Sequence, residues 1–192
     1  TAEHLGDLDK AIEFAVSPHR KIRLLIKVER FSEALKLVPG LNNPSEYFEL
    51  IKETAQKQIE LKIKSHDFIS AMKLTEFAES QDSDRNEILL NGRQYFDRKL
   101  ASVKSDKDIK AIYKDRITLE ENAGNFEEAG KMAEEILKDL SLASLLYEKA
   151  NLFNRAIEAT SEHYDTQRDG NEATIRLAEL HEKGGNLFKA AK

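Results

Sequence analysis

One phrase recurs along the chain: a turn residue or polar pair, an aromatic residue or leucine, two polar residues, a small residue, then an apolar stretch. It reads GDLDKAIEFA from Gly6, ERFSEALKLV from Glu29, HDFISAMKLT from His66 and GNFEEAGKMA from Gly124. It returns as NLFNRAIEAT from Asn151 and GNLFKAAK from Gly185, with Ala11, Ala34, Ala71, Ala129, Ala156 and Ala190 at its centre. An internal repeat constrains a fold more than any single motif, because each copy must bury the same face against its neighbours. Stacked helical hairpins satisfy that demand, and they present a binding surface rather than an active site.

Each phrase has the chemistry of a helix start. The opening pair supplies a residue tolerant of positive φ and then, in several copies, a side-chain oxygen able to cap the new helix. The aromatic or leucine (Leu8, Phe31, Phe68, Phe126, Phe153, Leu187) lies three residues before the alanine, so the two share a helix face. Alanine at that point lets two helix axes approach closely. Amphipathic segments precede most copies and predict the first helix of each hairpin: HRKIRLLIKVE, EYFELIKETAQKQIELKIK, IKAIYKDRITLEENA, LSLASLLYEKA and EATIRLAELHEKG. In the last of these, Ile175, Ala178 and His181 are spaced by three, with Leu177 and Leu180 on the flank.

The interval between central alanines is uneven, at 23, 37, 58, 27 and 34 residues. RQYFDRKLASV divides the longest gap and reads as a degenerate copy, with Phe96 in the aromatic place and Lys99 in the alanine place. Polar connectors are expected at VPGLNNPSE (with Ser45 as a cap), ESQDSDRNE and TQRDGNE. None is long enough for an interdomain linker, so residues 1–192 read as one helical-repeat domain of about a dozen helices. The chain opens on TAEHLGDLDK and stops a turn into its last phrase, which suggests a piece of a longer protein.

Composition limits the function classes. Hydrophobic residues are 40% and charged ones 34%, too apolar for disorder and too interrupted for a membrane span. Without cysteine there are no disulfides, thiolate metal sites or cysteine nucleophiles, which suits a reducing, cytoplasmic setting. A net charge of −5 argues against nucleic acid as the main partner.

The helix EATIRLAELHEKG followed by GNLFKAA resembles the tetratricopeptide repeat, as do LSLASLLYEKA followed by NLFNRAIEA and the phrase GNFEEAGKMA. The likeness covers residues 109–192 well and the earlier part thinly. It implies an all-α fold, a right-handed α-solenoid of stacked antiparallel hairpins. Spacing departs from the family's usual 34 residues and the closing proline is missing. Irregular hairpins of this kind are similar to the α-solenoid arms of coat-type and intraflagellar-transport-type scaffolds.

Sites of chemistry are sparse. The chain has no phosphate-binding glycine loop, nucleophile elbow or zinc helix, and His4, His19, His66, His163 and His181 lie far apart. The adjacent pairs Glu120-Glu121, Glu127-Glu128 and Glu134-Glu135 diverge by ~100° on a helix and read as a solvated acidic face. No catalytic residue, cofactor or metal is therefore expected. One basic stripe stands out: Arg20, Arg23, Lys27 and Arg30 follow i, i+3, i+7 and i+10, and could attract an acidic peptide or phosphate or form a solvated face opposite Ile22, Leu24, Leu25 and Ile26. A second cluster, Arg93, Arg98, Lys99 and Lys104, is interleaved with Tyr95 and Phe96. Tyr113, Arg116 and Arg176 are candidate contacts on first helices.

The leading expectation is a non-enzymatic protein–protein interaction scaffold, an arm of a larger trafficking or transport assembly. Its partners would be other subunits or peptide segments, with self-association possible through solenoid ends near Leu187 and Phe188. A peptide-binding adaptor or co-chaperone is the alternative, and a helical enzyme or regulatory domain with a site in the groove is the rival from another class.

Overall fold

The structure, a computed structural model, describes residues 8–167 and 170–186. Among these the protein is all-helical, with eleven α-helices and no strand. The chain divides into two compact units, Thr1–Arg85 and Asn86–Lys192. The first holds α1 (Leu8–Glu13), α2 (Pro18–Lys27), α3 (Phe31–Leu37), α4 (Pro44–Lys64) and α5 (Phe68–Leu74). The second holds most of α6 (Asp82–Ser102), then α7 (Asp106–Ala123), α8 (Phe126–Met132), α9 (Leu140–Lys149), α10 (Phe153–Gln167) and α11 (Gly170–Lys183).

The five amphipathic segments expected as first helices are α2, α4, α7, α9 and α11. The repeated phrase is a turn. In all five copies whose opening residue is described, that residue has positive φ: Glu29 at 60°, His66 at 61°, Gly124 at 85°, Asn151 at 59° and Gly185 at 77°. Each makes the same pair of backbone bonds. In the copy that opens on His66, the His66 amide donates to the Ile63 carbonyl and the Asp67 amide to the Lys62 carbonyl. The corresponding amides of Glu29/Arg30, Gly124/Asn125, Asn151/Leu152 and Gly185/Asn186 repeat the pattern. This is the Schellman ending, which satisfies carbonyls that a helix terminus otherwise leaves without donors. The next helix then begins on the aromatic residue itself, Phe31, Phe68, Phe126 or Phe153.

Side-chain capping is the weaker half of the expectation. Among the described copies of the phrase only Asp67 caps its helix, accepting from the Ser70 amide at 3.2 Å; outside the phrase Asp139 caps α9, accepting from the Leu142 amide at 3.0 Å. Arg30 and Asn125 occupy N-cap positions without a capping bond. At the proline-containing connector Asn43, not Ser45, precedes α4, with Pro44 in its first turn.

The central alanines behave as the packing argument requires. Ala34, Ala71, Ala129 and Ala156 are fully buried, Ala11 is half-buried, and Ala190 lies outside the described residues with Leu187 and Phe188. In the first unit α2 packs on α3 and α4 on α5; in the second, α7, α8, α9, α10 and α11 pack each on the next. The second unit has a continuous core of Ile117, Ala129, Met132, Ala143, Leu146, Tyr147, Ala156, Ala159 and Leu180, among others. One close crossing sets Gly130 of α8 against the Tyr147 ring of α9, where an added Cβ would lie 2.7 Å from Cε1.

Three expectations fail locally. RQYFDRKLASV is no hairpin turn, because it lies inside the unbroken helix α6. Phe96 is buried there, while Lys99 is exposed with its ammonium 4.8 Å from the Tyr95 ring centre. The connector ESQDSDRNE is already helical from Asp82, whose acid in the first turn suits a helix N-terminus. In α11 the apolar face is turned from the one the spacing suggested: Leu180 is fully buried and Ile175 is 63% exposed. In TQRDGNE, Gln167 ends α10 and Gly170 begins α11, and residues 168–169 lie outside the described residues.

The turn geometry gives a paired test by urea denaturation. Glu29→Gly relieves a left-handed residue and raises stability by about 1 kcal/mol, whereas Gly124→Ala lowers it by a similar amount. Gly130→Ala, normally favourable inside a helix, here costs about 1–3 kcal/mol because the Tyr147 ring is enclosed and cannot retreat. Gly40→Ala, with nothing within 4 Å of the added carbon, serves as the near-neutral control.

Candidate functional site

In the first unit, α2 buries Ile22, Leu24, Leu25 and Ile26 and leaves Arg20, Arg23 and Lys27 exposed. These three, with Ser17, His19 and Leu24, line an open groove of about 470 Å³. His19 is held in place by a 2.7 Å hydrogen bond between Nδ1 and the Tyr47 hydroxyl of α4. Arg30 does not join them. The left-handed turn at Glu29 takes the chain off the α2 axis, and Arg30 opens α3 instead. Its guanidinium meets the Glu33 carboxylate through two bonds of 2.6 and 2.7 Å and Asp9 at 3.0 Å. The hydrogen bonds that Arg30 donates to Glu33 raise its pKa, with Asp9 adding to the effect. The four-residue stripe read from the sequence is thus a three-residue stripe.

The second unit contains an open cleft of about 680 Å³ lined by Arg93, Arg116, Asn125, Phe126, Glu127 and Lys131, among others. Beneath it Glu120 has no solvent exposure at all, so it is not part of a solvated acidic face. Both carboxylate oxygens are held by Arg93 at 2.6 Å, and Asn125 Nδ2 donates at 3.0 Å. Burying a carboxylate is tolerable only with this degree of pairing. Those bonds raise the Arg93 pKa against the opposing effect of desolvation.

Glu134 is engaged as well. The Tyr147 hydroxyl donates to it at 2.5 Å, and Arg155 both pairs with it at 3.0 Å and lies 4.7 Å over the Tyr147 ring. Burial first, and the Glu134 hydrogen bond second, push the Tyr147 hydroxyl well above its ordinary range and keep it protonated.

The residues expected to project from first helices are used internally. Tyr113 packs against the core, Arg116 pairs with Asp97 at 2.5 Å, and Arg176 pairs with Glu148 and, at 3.6 Å, with Glu179. The basic-aromatic cluster is dispersed in the same way: Arg93 goes to Glu120, Arg98 to the Gln94 carbonyl at 3.2 Å, and Lys99 to Tyr95. Among the described residues no three His, Cys, Asp or Glu side chains are placed to hold a metal ion, and His4 lies outside them. Among the described residues no helix is long and apolar enough to cross a membrane.

A feature that composition did not reveal is a ladder of polar bridges at near-constant sequence separation. In the second unit Arg93–Glu120 joins α6 to α7, Glu121–Lys149 joins α7 to α9, and Glu148–Arg176 joins α9 to α11, at separations of 27, 28 and 28 residues. In the first unit His19–Tyr47 and Lys52–Glu79 have separations of 28 and 27. Four of these five rungs are opposite charges, and their recurrence at this interval is the signal that was available in the sequence.

Two rungs can be tested. Arg93→Met leaves the Glu120 carboxylate buried with Asn125 alone, and lowers stability by about 2–3 kcal/mol; the loss stays below that of a fully buried pair because over a third of the Arg93 side chain is exposed. Arg93→Met/Glu120→Leu recovers most of it, and a double-mutant cycle by chemical denaturation measures the coupling.

Glu148 adds a pH dependence. Burial pushes its pKa up, but the bonds from Lys183 (2.6 Å) and Arg176 outweigh burial and hold it below the ordinary 4.5. The folded pKa is depressed, so its contribution is complete above the unfolded value and drains as pH falls below 4.5 toward the folded value. Hydrogen exchange followed as the pH falls below 4.5 is expected to show α11 losing protection in the wild type, and Glu148→Gln showing no such acid-dependent step.

No family model, curated protein or solved structure matches the chain.

Proposed function

We propose that the chain is a non-enzymatic protein–protein interaction scaffold. In this reading it is a single domain, a right-handed α-solenoid of tetratricopeptide-like hairpins, serving in the cytoplasm as an arm of a larger trafficking or transport assembly. The observation that carries the reading is the fivefold recurrence of one helix-ending turn, followed in the four copies described on both sides by a helix that opens on the phrase's aromatic residue. Hairpins repeated in this manner leave the outer faces of their first helices available along an extended surface.

The distribution of exposed apolar side chains supports it. Of the eight exposed large apolar residues described, Phe48, Leu50 and Leu61 lie on α4, Leu145 on α9 and Ile175 on α11, all first helices; Leu90 lies on α6, and Phe14 and Val16 lie between α1 and α2. Single exposed leucines are ordinary, but their concentration on these helices suits faces covered in an assembly. A peptide-binding adaptor is the second reading, favoured by the cleft that gathers Arg116, Asn125 and Lys131.

The test is affinity purification of the tagged full-length protein from its native cells, followed by size exclusion and cross-linking mass spectrometry. The arm reading expects stoichiometric subunits that survive high salt and are released by Leu145→Glu/Ile175→Glu, with the melting temperature unchanged. Partners that wash away at moderate salt and compete with short peptides indicate the adaptor. A protein that elutes alone at its own mass under all conditions overturns both.

A further inference from the structure

Nine arginines fall among the described residues, and eight of them interact with another group of the chain. Arg30, Arg93, Arg116, Arg155 and Arg176 hold carboxylates, Arg85 holds the Thr75 hydroxyl, Arg98 holds a carbonyl, and Arg20 has an interaction of its own. Arg23 alone among them makes no hydrogen bond or ion pair, and Lys27, one turn further along, makes none either. Both side chains face the 470 Å³ groove, and no acidic residue lines it. A guanidinium with no internal carboxylate, next to an ammonium in the same state, gives a local positive field on a molecule of net charge −5.

The spacing indicates what fits. Arg20, Arg23 and Lys27 occupy one face of α2 across seven residues, about 10 Å of helix rise. A single phosphate meets one end of such a row. A second helix presenting carboxylates at one-turn intervals matches all of it.

We propose that this face of α2 docks an acidic helix of a partner protein, one whose carboxylates recur at i, i+3 or i+4, and i+7. The proposal rests on the scaffold reading and specifies one surface of it. Charge complementarity selects the occupant: Arg23 supplies paired donors for a carboxylate, Lys27 a second point charge, and Arg20 extends the row. Exposed pairs of this kind set association rate and partner choice more than affinity, so binding is modest and falls steeply with salt.

The experiment uses the whole chain and two fluorescent alanine-based helical peptides of equal composition. One carries glutamates on a single face at i, i+4 and i+7, and the other carries them dispersed round the helix. Fluorescence anisotropy at low salt is expected to show the striped peptide binding about tenfold more tightly than the dispersed one, with the preference lost in Arg23→Glu/Lys27→Glu. The neutral pair Arg23→Gln/Lys27→Gln weakens binding by an intermediate amount. Lys104→Glu/Lys107→Glu, an equal reversal on exposed lysines of the second unit, leaves it unchanged.

Thermal melts by circular dichroism check that each variant is folded. Equal binding of both peptides, or indifference to the groove substitutions, overturns the proposal. So does groove-dependent binding of polyuridine or phosphatidylserine vesicles that exceeds binding of the striped peptide. None of these outcomes touches the scaffold reading, which stands or falls on whether stable subunits accompany the native protein.

Discussion

The helix-ending turn is the constraint on which the rest depends. A helix that stops in a packed array must satisfy its last carbonyls, and five first helices here do so with the same pair of backbone bonds. The cost is one residue in the left-handed region at each turn. Gly124 and Gly185 adopt it freely, while Glu29, His66 and Asn151 carry strain of roughly 1 kcal/mol. Such strain persists only if the following residues compensate, and the aromatic and alanine that come next do so by burying themselves against the preceding helix. Turn and packing are therefore one device, which is why they recur together in the sequence.

Close approach is the second half of that device. The buried alanines permit helices to nest, and in the second unit the principle goes further, since α8 presents Gly130 where α9 presents the largest fully buried side chain, Tyr147. A bulky ring facing a residue with no side chain fills space efficiently, but it also brings a hydroxyl into the interior. Glu134 and Arg155 meet that demand. The π-helical turn Ala133–Leu137 continues the same segment, placing Ala133 in the core. Packing at one crossing thus dictates polar chemistry at the next position along the chain.

What was legible in the sequence follows from the range of the interaction responsible. Helix starts at Phe31, Phe68, Phe126 and Phe153 were legible because turn chemistry is local. The misreading of RQYFDRKLASV has the same origin in reverse: it has an aromatic residue but no left-handed turn before it, and Gly92 is buried inside α6 instead of ending it. Arg30 was assigned to a stripe by periodicity carried across a turn that periodicity does not see. The basic groove was legible to the extent of Arg20, Arg23 and Lys27, which are local to one helix. Glu120 was not legible. Its burial depends on Arg93, 27 residues away, and adjacent glutamates look alike until their partners are known.

The polar ladder explains why charge here is a matter of order rather than of stability. Exposed rungs such as Glu121–Lys149 contribute little net energy, and the buried Arg93–Glu120 rung mainly offsets its own desolvation. Mismatched rungs are a different matter, because an unpaired carboxylate in the position of Glu120 would be costly. Hairpins with similar apolar faces could pack on one another in several sequences, and specific ion pairs make the wrong neighbours unfavourable. A chain organised on that rule draws its guanidiniums into internal contacts, as eight of the nine described arginines show. The same rule gives Arg23 its meaning. Arg23 is the exception among the nine described arginines, and that exception is what the proposed docking of an acidic helix on α2 rests on.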